Sequence, residues 1–198
     1  MSWLTRAYRD WRARRAWERG GRPTPPPPAV KRAVVGEYAR RFPRSTLIET
    51  GTFHGDMVRA MKGRFGRVIS IELDERLFER AVARFAGDRN VTILRGDSGV
   101  VLGELMGTIE SPCLFWLDGH YSGPGTGKGI EETPVMRELR HVLDHRVRDH
   151  VILIDDAREF NGTHDYPTIE ALRAHLARER PDLVFECRDD VIRLTPAG

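Results

Sequence analysis

Short apolar pulses alternate with amphipathic stretches along most of this chain. The pulses are Thr46–Ile48, Val68–Ile71, Val91–Leu94, Cys113–Leu117 and Val151–Ile154. Each has strand length, and Cys113–Leu117 is continuously apolar, as a strand buried on both faces requires. Between them lie stretches with helical spacing: 56–61, 75–85, 99–106, Thr133 through Leu143, and Ile169–Arg178 after Tyr166-Pro167-Thr168. In the second of these, Leu77, Phe78, Ala81, Val82 and Phe85 make an apolar stripe. Leu183–Cys187 and Val191–Leu194 flank Arg188-Asp189-Asp190 as a closing hairpin. Strand and helix in alternation predict an α/β domain with a parallel sheet.

The pattern differs before residue 45. Residues 3–19 predict an amphipathic helix with Trp3, Leu4, Ala7, Tyr8 and Trp11 on one face and arginines on the other. Such a face suits an anionic membrane surface or a partner protein, and packing on the chain's own domain is the plainer alternative. Gly20-Gly21 stops this helix, and Pro23–Pro28 forms a stiff spacer. A second helix is predicted over Val30–Arg41, with Val30, Val34, Val35 and Tyr38 facing inward and Phe42-Pro43 ending it. The expected organisation is a basic helix over 1–22, a proline-rich linker over 23–29 and one domain over 30–198.

Charge sharpens that division. The 198 residues carry a formal net charge of +3. Residues 1–44 hold 12 Arg/Lys and 3 Asp/Glu, a net of +9; the remainder holds 20 basic and 26 acidic residues, a net of −6. The basic character belongs to the extension, and the acidic domain disfavours a nucleic-acid substrate. Hydrophobic content of 40% and charged content of 31% fit a globular domain. There is no run of membrane-span length, no apolar signal-peptide core and no internal repeat, so a cytoplasmic location is expected. Cys113 and Cys187 both sit in apolar strand-like runs and are expected as buried thiols rather than a disulfide.

The chemistry concentrates where apolar pulses end in acids. The first runs into Glu49-Thr50-Gly51-Thr52-Phe53-His54-Gly55 and then a helix beginning at Asp56; the second ends in Glu72-Leu73. Ligands of open α/β sheets bind at the carboxyl ends of strands, and glycines let backbone approach them. A dinucleotide site wants G-x-G-x-x-G, whereas this loop is Gly51-x-x-x-Gly55 preceded by an acid. Glu49 would repel a pyrophosphate but suits a cationic ligand such as S-adenosylmethionine (SAM). The third pulse leads to Gly96-Asp97-Ser98 and the fourth to Leu117-Asp118-Gly119-His120.

Taken in order, these four motifs resemble those of class I SAM-dependent methyltransferases over residues 45–195. The resemblance implies a Rossmann-like three-layer sandwich, α/β, with a seven-stranded, mostly parallel sheet and an antiparallel final strand. It implies cofactor contacts from Glu49, Thr50, Gly51, Thr52, Phe53, Gly55, Asp56, Glu72, Leu73, Gly96, Asp97, Ser98 and Asp118. Glu72 would hold the ribose diol and Asp97 the adenine amine, although Asp97 or Ser98 also reads as a helix N-cap.

Asp118, Asp155 and Asp156 end neighbouring strands and would share one crevice. Like charges so close imply a cation, and hard oxygen donors suit Mg²⁺. The layout is similar to metal-dependent O-methyltransferases of the catechol and macrolide-sugar types, which implies these three as ligands. Helix capping or pairing with Arg158 is the alternative. His120 is the candidate base, as in the sugar enzymes, with Lys128 second; the lysine base of the catechol type falls at Tyr121. The glycine-rich run Ser122–Gly129 fails the Walker spacing and reads as a lid. His54 would shape the cofactor loop, and His164 and Asp165 would line the acceptor site. The sequence therefore points to a Mg²⁺-assisted O-methyltransferase of a hydroxylated small molecule or glycan. The rival from another class is a non-catalytic scaffold docking to a membrane or partner through its N-terminal helix.

Overall fold

The structure, a computed structural model, describes residues 3–119 and 133–197, with the side chains of residues 3, 4 and 6 outside the description. Seven strands form one sheet: β1 Thr46–Thr50, β2 Arg67–Glu72, β3 Val91–Arg95, β4 Leu114–Leu117, β5 Val151–Ile154, β6 Leu183–Arg188 and β7 Val191–Pro196. Their order is β3-β2-β1-β4-β5-β7-β6. The first five are parallel, and β7 runs antiparallel to both β5 and β6. The order reverses between β1 and β4, and the crevice at that reversal is where such sheets bind ligands.

Seven α-helices and one 3-10 turn, Ala157–Glu159, complete the described elements: α1 Trp3–Arg19, α2 Pro28–Arg41, α3 Asp56–Met61, α4 Glu75–Phe85, α5 Ser98–Met106, α6 Val135–Leu143 and α7 Ile169–Glu179. Alternation along the strands divides the core into two layers. Ile48, Ile69, Ile71, Phe115, Leu117, Ile152 and Ile154 face α5, α6 and α7, where Leu102, Leu139 and Leu172 are buried. Leu47, Val68, Leu114, Trp116, Val151 and Leu153 face the other way, against Val34, Val35 and Tyr38 of α2, Val58 and Met61 of α3, and Phe85 of α4. The result is the three-layer sandwich the motifs imply.

Several local expectations shift. α2 begins at Pro28 rather than Val30, because a proline at the first helical position loses no hydrogen bond. α6 begins at Val135 rather than Thr133; the Thr133 hydroxyl accepts the Val135 N–H at 3.3 Å, just ahead of the helix. Val82 is 44% exposed, so the inner stripe of α4 is Leu77, Ala81 and Phe85. Cys113 is buried as expected, but Cys187 is exposed, because β6 is the edge strand of the sheet.

The N-terminal helix docks by a face the pattern did not single out. The Asp10 carboxylate accepts from Arg32 Nε and Nη2 of α2, and the buried Trp17 donates its indole N–H to the Pro23 carbonyl at 2.8 Å. Tyr8 and Trp11 stay outside, 60% and 55% exposed, with Arg12 and Arg15 stacked over their rings. No described helix is long and apolar enough to cross a membrane.

Candidate active site

The backbone ladder continues past the strand ends and fixes where each acid emerges. Gly51 and Thr52 donate to the Ile71 carbonyl, Gly96 to Glu72, Asp118 to Thr50 and Asp155 to Leu117, all within 3.2 Å. Loops carrying the sequence-predicted residues are thereby set side by side. Gly51, at φ +80°, closes the seam between them. A Cβ there would collide with the Asp118 carbonyl oxygen.

Glu49 and Glu72 are held by neutral donors. Glu49 is 2% exposed and accepts from the Ser70 hydroxyl at 2.5 Å, which in turn lies 2.6 Å from the Thr52 hydroxyl. Burial pushes the Glu49 carboxyl up to about 8, with Ser70 opposing and the Glu72 charge adding to the rise. Glu72 accepts the Phe53 N–H at 2.7 Å and the Asp74 N–H at 2.9 Å. Its pKa is still raised, because burial outweighs those bonds. Phe53, at φ +49° and half exposed, turns its N–H inward to make this contact.

At the rim, Asp97 accepts the Gly99 N–H at 2.8 Å, so it caps α5 as read. It also meets Arg137 of α6 at 3.2 Å, a partner the sequence did not reveal. Asp56 is exposed and bound to Arg59 and Arg84, which hold its carboxyl below the usual range against a desolvation that would raise it. Arg84 also donates to the His54 carbonyl, which makes His54 part of the loop's scaffold. Leu73 and Gly96 lie at the same sheet edge, half-buried, and Gly55 is buried against Phe85.

The three aspartates that follow β4 and β5 do come together. Oxygens of Asp118, Asp155 and Asp156 lie within 4.8 Å of one another. Burial drives Asp118 well up and Asp155 up to about 6, with neighbouring carboxylates adding to both. A cation from the chain already stands among them. The Lys31 ammonium lies 2.5 Å from Asp155 Oδ2 and 2.8 Å from Asp156 Oδ1. Burial alone would lower its pKa, but the charge and hydrogen bonding of Asp155 and Asp156 dominate and hold it protonated. Asp156, in the left-handed region at φ +53°, also pairs with Arg158 at 2.7 Å, and Arg158 reaches on to Asp190. The pairing with Arg158 that the sequence allowed as an alternative is therefore present. His164 and Asp165 sit exposed on left-handed backbone after β5. His120 and Lys128, with the glycine-rich run, lie outside the described residues.

Two further groups escaped the sequence reading. Lys31 is spaced with Val34, Val35 and Tyr38, so it points with the core face of α2. Glu138 is 1% exposed and shares its helix phase with Val135, Leu139 and Val142. Three polar atoms converge on Gly119, where a Cβ would come within 2.9 Å of Glu138 Oε1, 3.0 Å of Ser98 Oγ and 3.1 Å of Thr50 Oγ1. Burial pushes Glu138 up to about 7, with the Ser98 and Thr50 hydroxyls opposing. A charged residue in the apolar phase of a helix was the available signal for both.

The fold superposes on those of solved methyltransferases. The SAH-bound methyltransferase PaMTH1 of Podospora anserina superposes with a TM-score of 0.60 at 15% identity, covering 86% of this chain and 79% of that one. The O-methyltransferase TomG of Streptomyces achromogenes, solved with SAM, gives 0.59 at 18% identity over 95% of this chain and 89% of its own. The O-methyltransferase of Bacillus cereus, solved with SAH, gives 0.59 at 13% identity over 94% and 90%. In sequence, 82 residues are 37% identical to "Probable ribosomal RNA small subunit methyltransferase A" of Methanospirillum hungatei JF-1, over 36% of this chain and 32% of that protein. The chain thus spans about a third of the length of the curated relative it matches. No family model matches. The chain has the Rossmann-like methyltransferase fold.

Proposed function

We propose that this chain is a SAM-dependent methyltransferase that methylates an oxygen of a hydroxylated small molecule or glycan. The observation that carries this reading is the meeting, across the β1–β4 switch point, of the buried Glu49–Glu72 pair with the Asp118–Asp155–Asp156 cluster. The first suits a cationic nucleoside, and the second faces where an acceptor would enter. The close packing at Gly51 and Gly119 fixes the loops after β1 and β4 against each other at that switch point. Glu72, fixed by two N–H donors, would present its remaining lone pairs to a ribose diol. Glu49 would ionise opposite a sulfonium, and Asp97 and Ser98 would border the adenine. When bound, SAM supplies an already activated methyl group, so the protein's part is alignment, exclusion of water and removal of the acceptor proton. His120 is the proposed base, with Lys128 as the second candidate.

Magnesium assistance does not fit the residues as folded. Asp118, Asp155 and Asp156 have the oxygen donors a hard cation takes, but Lys31 contacts two of the three. The mechanism proposed here uses no metal.

Calorimetric titration of SAM tests the reading. Micromolar binding is expected, weakened at least about tenfold by Glu72→Ala, which removes the proposed diol contact. No binding would sink the enzyme and leave the scaffold. Acceptor screening should include sugars, phenols and RNA, since one relative is named for ribosomal RNA. The net −6 of residues 45–198 favours the small acceptors.

The exposed Tyr8–Trp11 face favours one addition. We propose that α1 docks on an anionic lipid surface, to which the +9 of residues 1–44 is complementary. Sedimentation with phosphatidylglycerol vesicles should show binding that high salt reverses and that a Tyr8→Ala, Trp11→Ala double variant loses. Absence of binding would overturn the addition, and binding to RNA in its place would reassign the face.

A further inference from the structure

We propose that Lys31 is the resident cation of the acid cluster, and that this cluster excludes a divalent metal. The inference rests on the methyltransferase reading only for the meaning of the site, not for its occupancy. Three carboxylates with oxygens within 4.8 Å of one another need positive charge, and Asp155 and Asp156 are each only 3% exposed. An ammonium at 2.5 Å from Asp155 Oδ2 and 2.8 Å from Asp156 Oδ1 supplies it from within the chain. A magnesium ion binds carboxylate oxygens at about 2.1 Å. Bound to those same two atoms, it would stand against the ammonium with no oxygen between the two positive charges. Lysine and metal are therefore competing occupants.

Placement of the lysine is built into α2 rather than left to a flexible surface arm. Lys31 follows the buried Val30 and precedes Val34 and Val35 by one helical turn. Its side chain is only 20% exposed. Its neighbour Arg32 is clamped by the Asp10 carboxylate of α1. Arg158 reaches the same oxygen, Asp156 Oδ1, at 2.7 Å, so two cations share it. Electrostatically, a fixed ammonium at this place does for an acceptor oxygen part of what a metal does: it stabilises negative charge as the hydroxyl loses its proton. It does so with a single charge and without binding the acceptor in a fixed coordination geometry. An acceptor with one reactive hydroxyl fits such a site as well as a vicinal diol, whereas a metal site favours the chelating diol.

Manganese is a suitable probe, because free and bound Mn²⁺ are distinguished by electron paramagnetic resonance. The titration uses the full chain, its Asp155→Asn and Lys31→Met single variants, and the two changes combined. Wild type is expected to bind no tighter than ~1 mM, the range of weak oxygen sites. Lys31→Met should gain at least about tenfold in affinity, and adding Asp155→Asn should remove the gain. Tight Mn²⁺ binding by wild type that Asp155→Asn abolishes would overturn the proposal. So would a folded Lys31→Met protein with no gain. Lys31→Gln repeats the test should the methionine variant not fold, and the wild-type titration stands without either. SAM titrations on the same samples keep the two readings apart: loss of SAM binding throughout would sink the methyltransferase and leave the lysine's place intact.

Discussion

Two clusters of carboxylates sit on one edge of one sheet, separated by the Gly51–Asp118 seam, and they are balanced in opposite ways. Glu49 and Glu72 are met by a serine hydroxyl and backbone N–H groups, with no lysine or arginine contact on either among the described residues. Asp155 and Asp156 are met by Lys31, and Asp156 by Arg158 as well. Neutral donors orient a carboxylate without cancelling its charge, so the first cluster keeps an unmet demand for a cation. A cation supplied from the chain meets much of that demand in advance. Acids that await a ligand's charge and acids that have been neutralised by the fold look alike in sequence. They differ in what is packed against them.

The strongest way to break this comparison is to disturb the seam. Gly51→Ala places a Cβ on backbone at φ +80° and against the Asp118 carbonyl. A loss of about 3 kcal/mol or more in denaturant unfolding is expected, with SAM binding lost as well. Unchanged stability would mean that the two clusters are not set by one shared contact.

Next in size is Lys31→Met. Two buried carboxylates lose their common cation, and a loss of about 2–4 kcal/mol is expected, discounted for the lysine's partial exposure. Chemical denaturation near neutral pH measures it. A neutral outcome would show that Arg158 alone suffices.

Much of this architecture was legible in the chain. Parallel strands announce themselves as apolar pulses, because a strand buried on both faces has no polar positions to blur it. The acids were legible for a related reason: Glu49, Glu72, Asp97, Asp118 and Asp155 each follow an apolar run, and the ladder that sets the strands sets them too. Their partners were not legible. Lys31 lies 124 residues before Asp155 in the numbering and is drawn to it only when α2 packs on the sheet. Glu138 and Arg137 depend in the same way on α6 lying beside α5. The expected burial of Cys187 and Val82 failed for a related reason. An apolar run reveals that a strand or helix exists, but not whether a neighbour covers its outer face.

Glu49→Gln should act in the opposite direction to the lysine change. The folded pKa of Glu49 is raised to about 8, so the fold favours its protonated form. That contribution is fully present below the ordinary carboxylate value and is lost as pH rises through about 8. Wild type should therefore lose more stability between pH 5 and 9 than the glutamine variant, which keeps only the losses from Glu138 and the aspartate cluster. Near pH 9 the variant should be the more stable by about 2–3 kcal/mol. The same change should weaken SAM, because glutamine cannot ionise opposite the sulfonium. Wild-type affinity for SAM should rise with pH towards 8 as binding releases the Glu49 proton. An affinity that is flat with pH would place the cofactor's charge away from Glu49.

Arg137→Ala asks the smallest question, at Asp97, an acid on the same sheet edge that does touch a cation. Arg137 meets Asp97 at 3.2 Å with its side chain 30% exposed, so unfolding free energy should move by less than about 1 kcal/mol. Its effect on the ligand should be clearer than its effect on the fold. Asp97 keeps its cap on Gly99 through Oδ1, while Oδ2 is the oxygen nearer the guanidinium. An adenine amine would compete with Arg137 for that oxygen. Removing the arginine should raise SAM affinity by about two- to fivefold, a gain worth under 1 kcal/mol. Asp97→Asn, which gives up the charge, should lower affinity in the same calorimetric series. A fall in affinity for Arg137→Ala would reverse the arginine's role, from competitor to the group that holds Asp97 in place for the ligand.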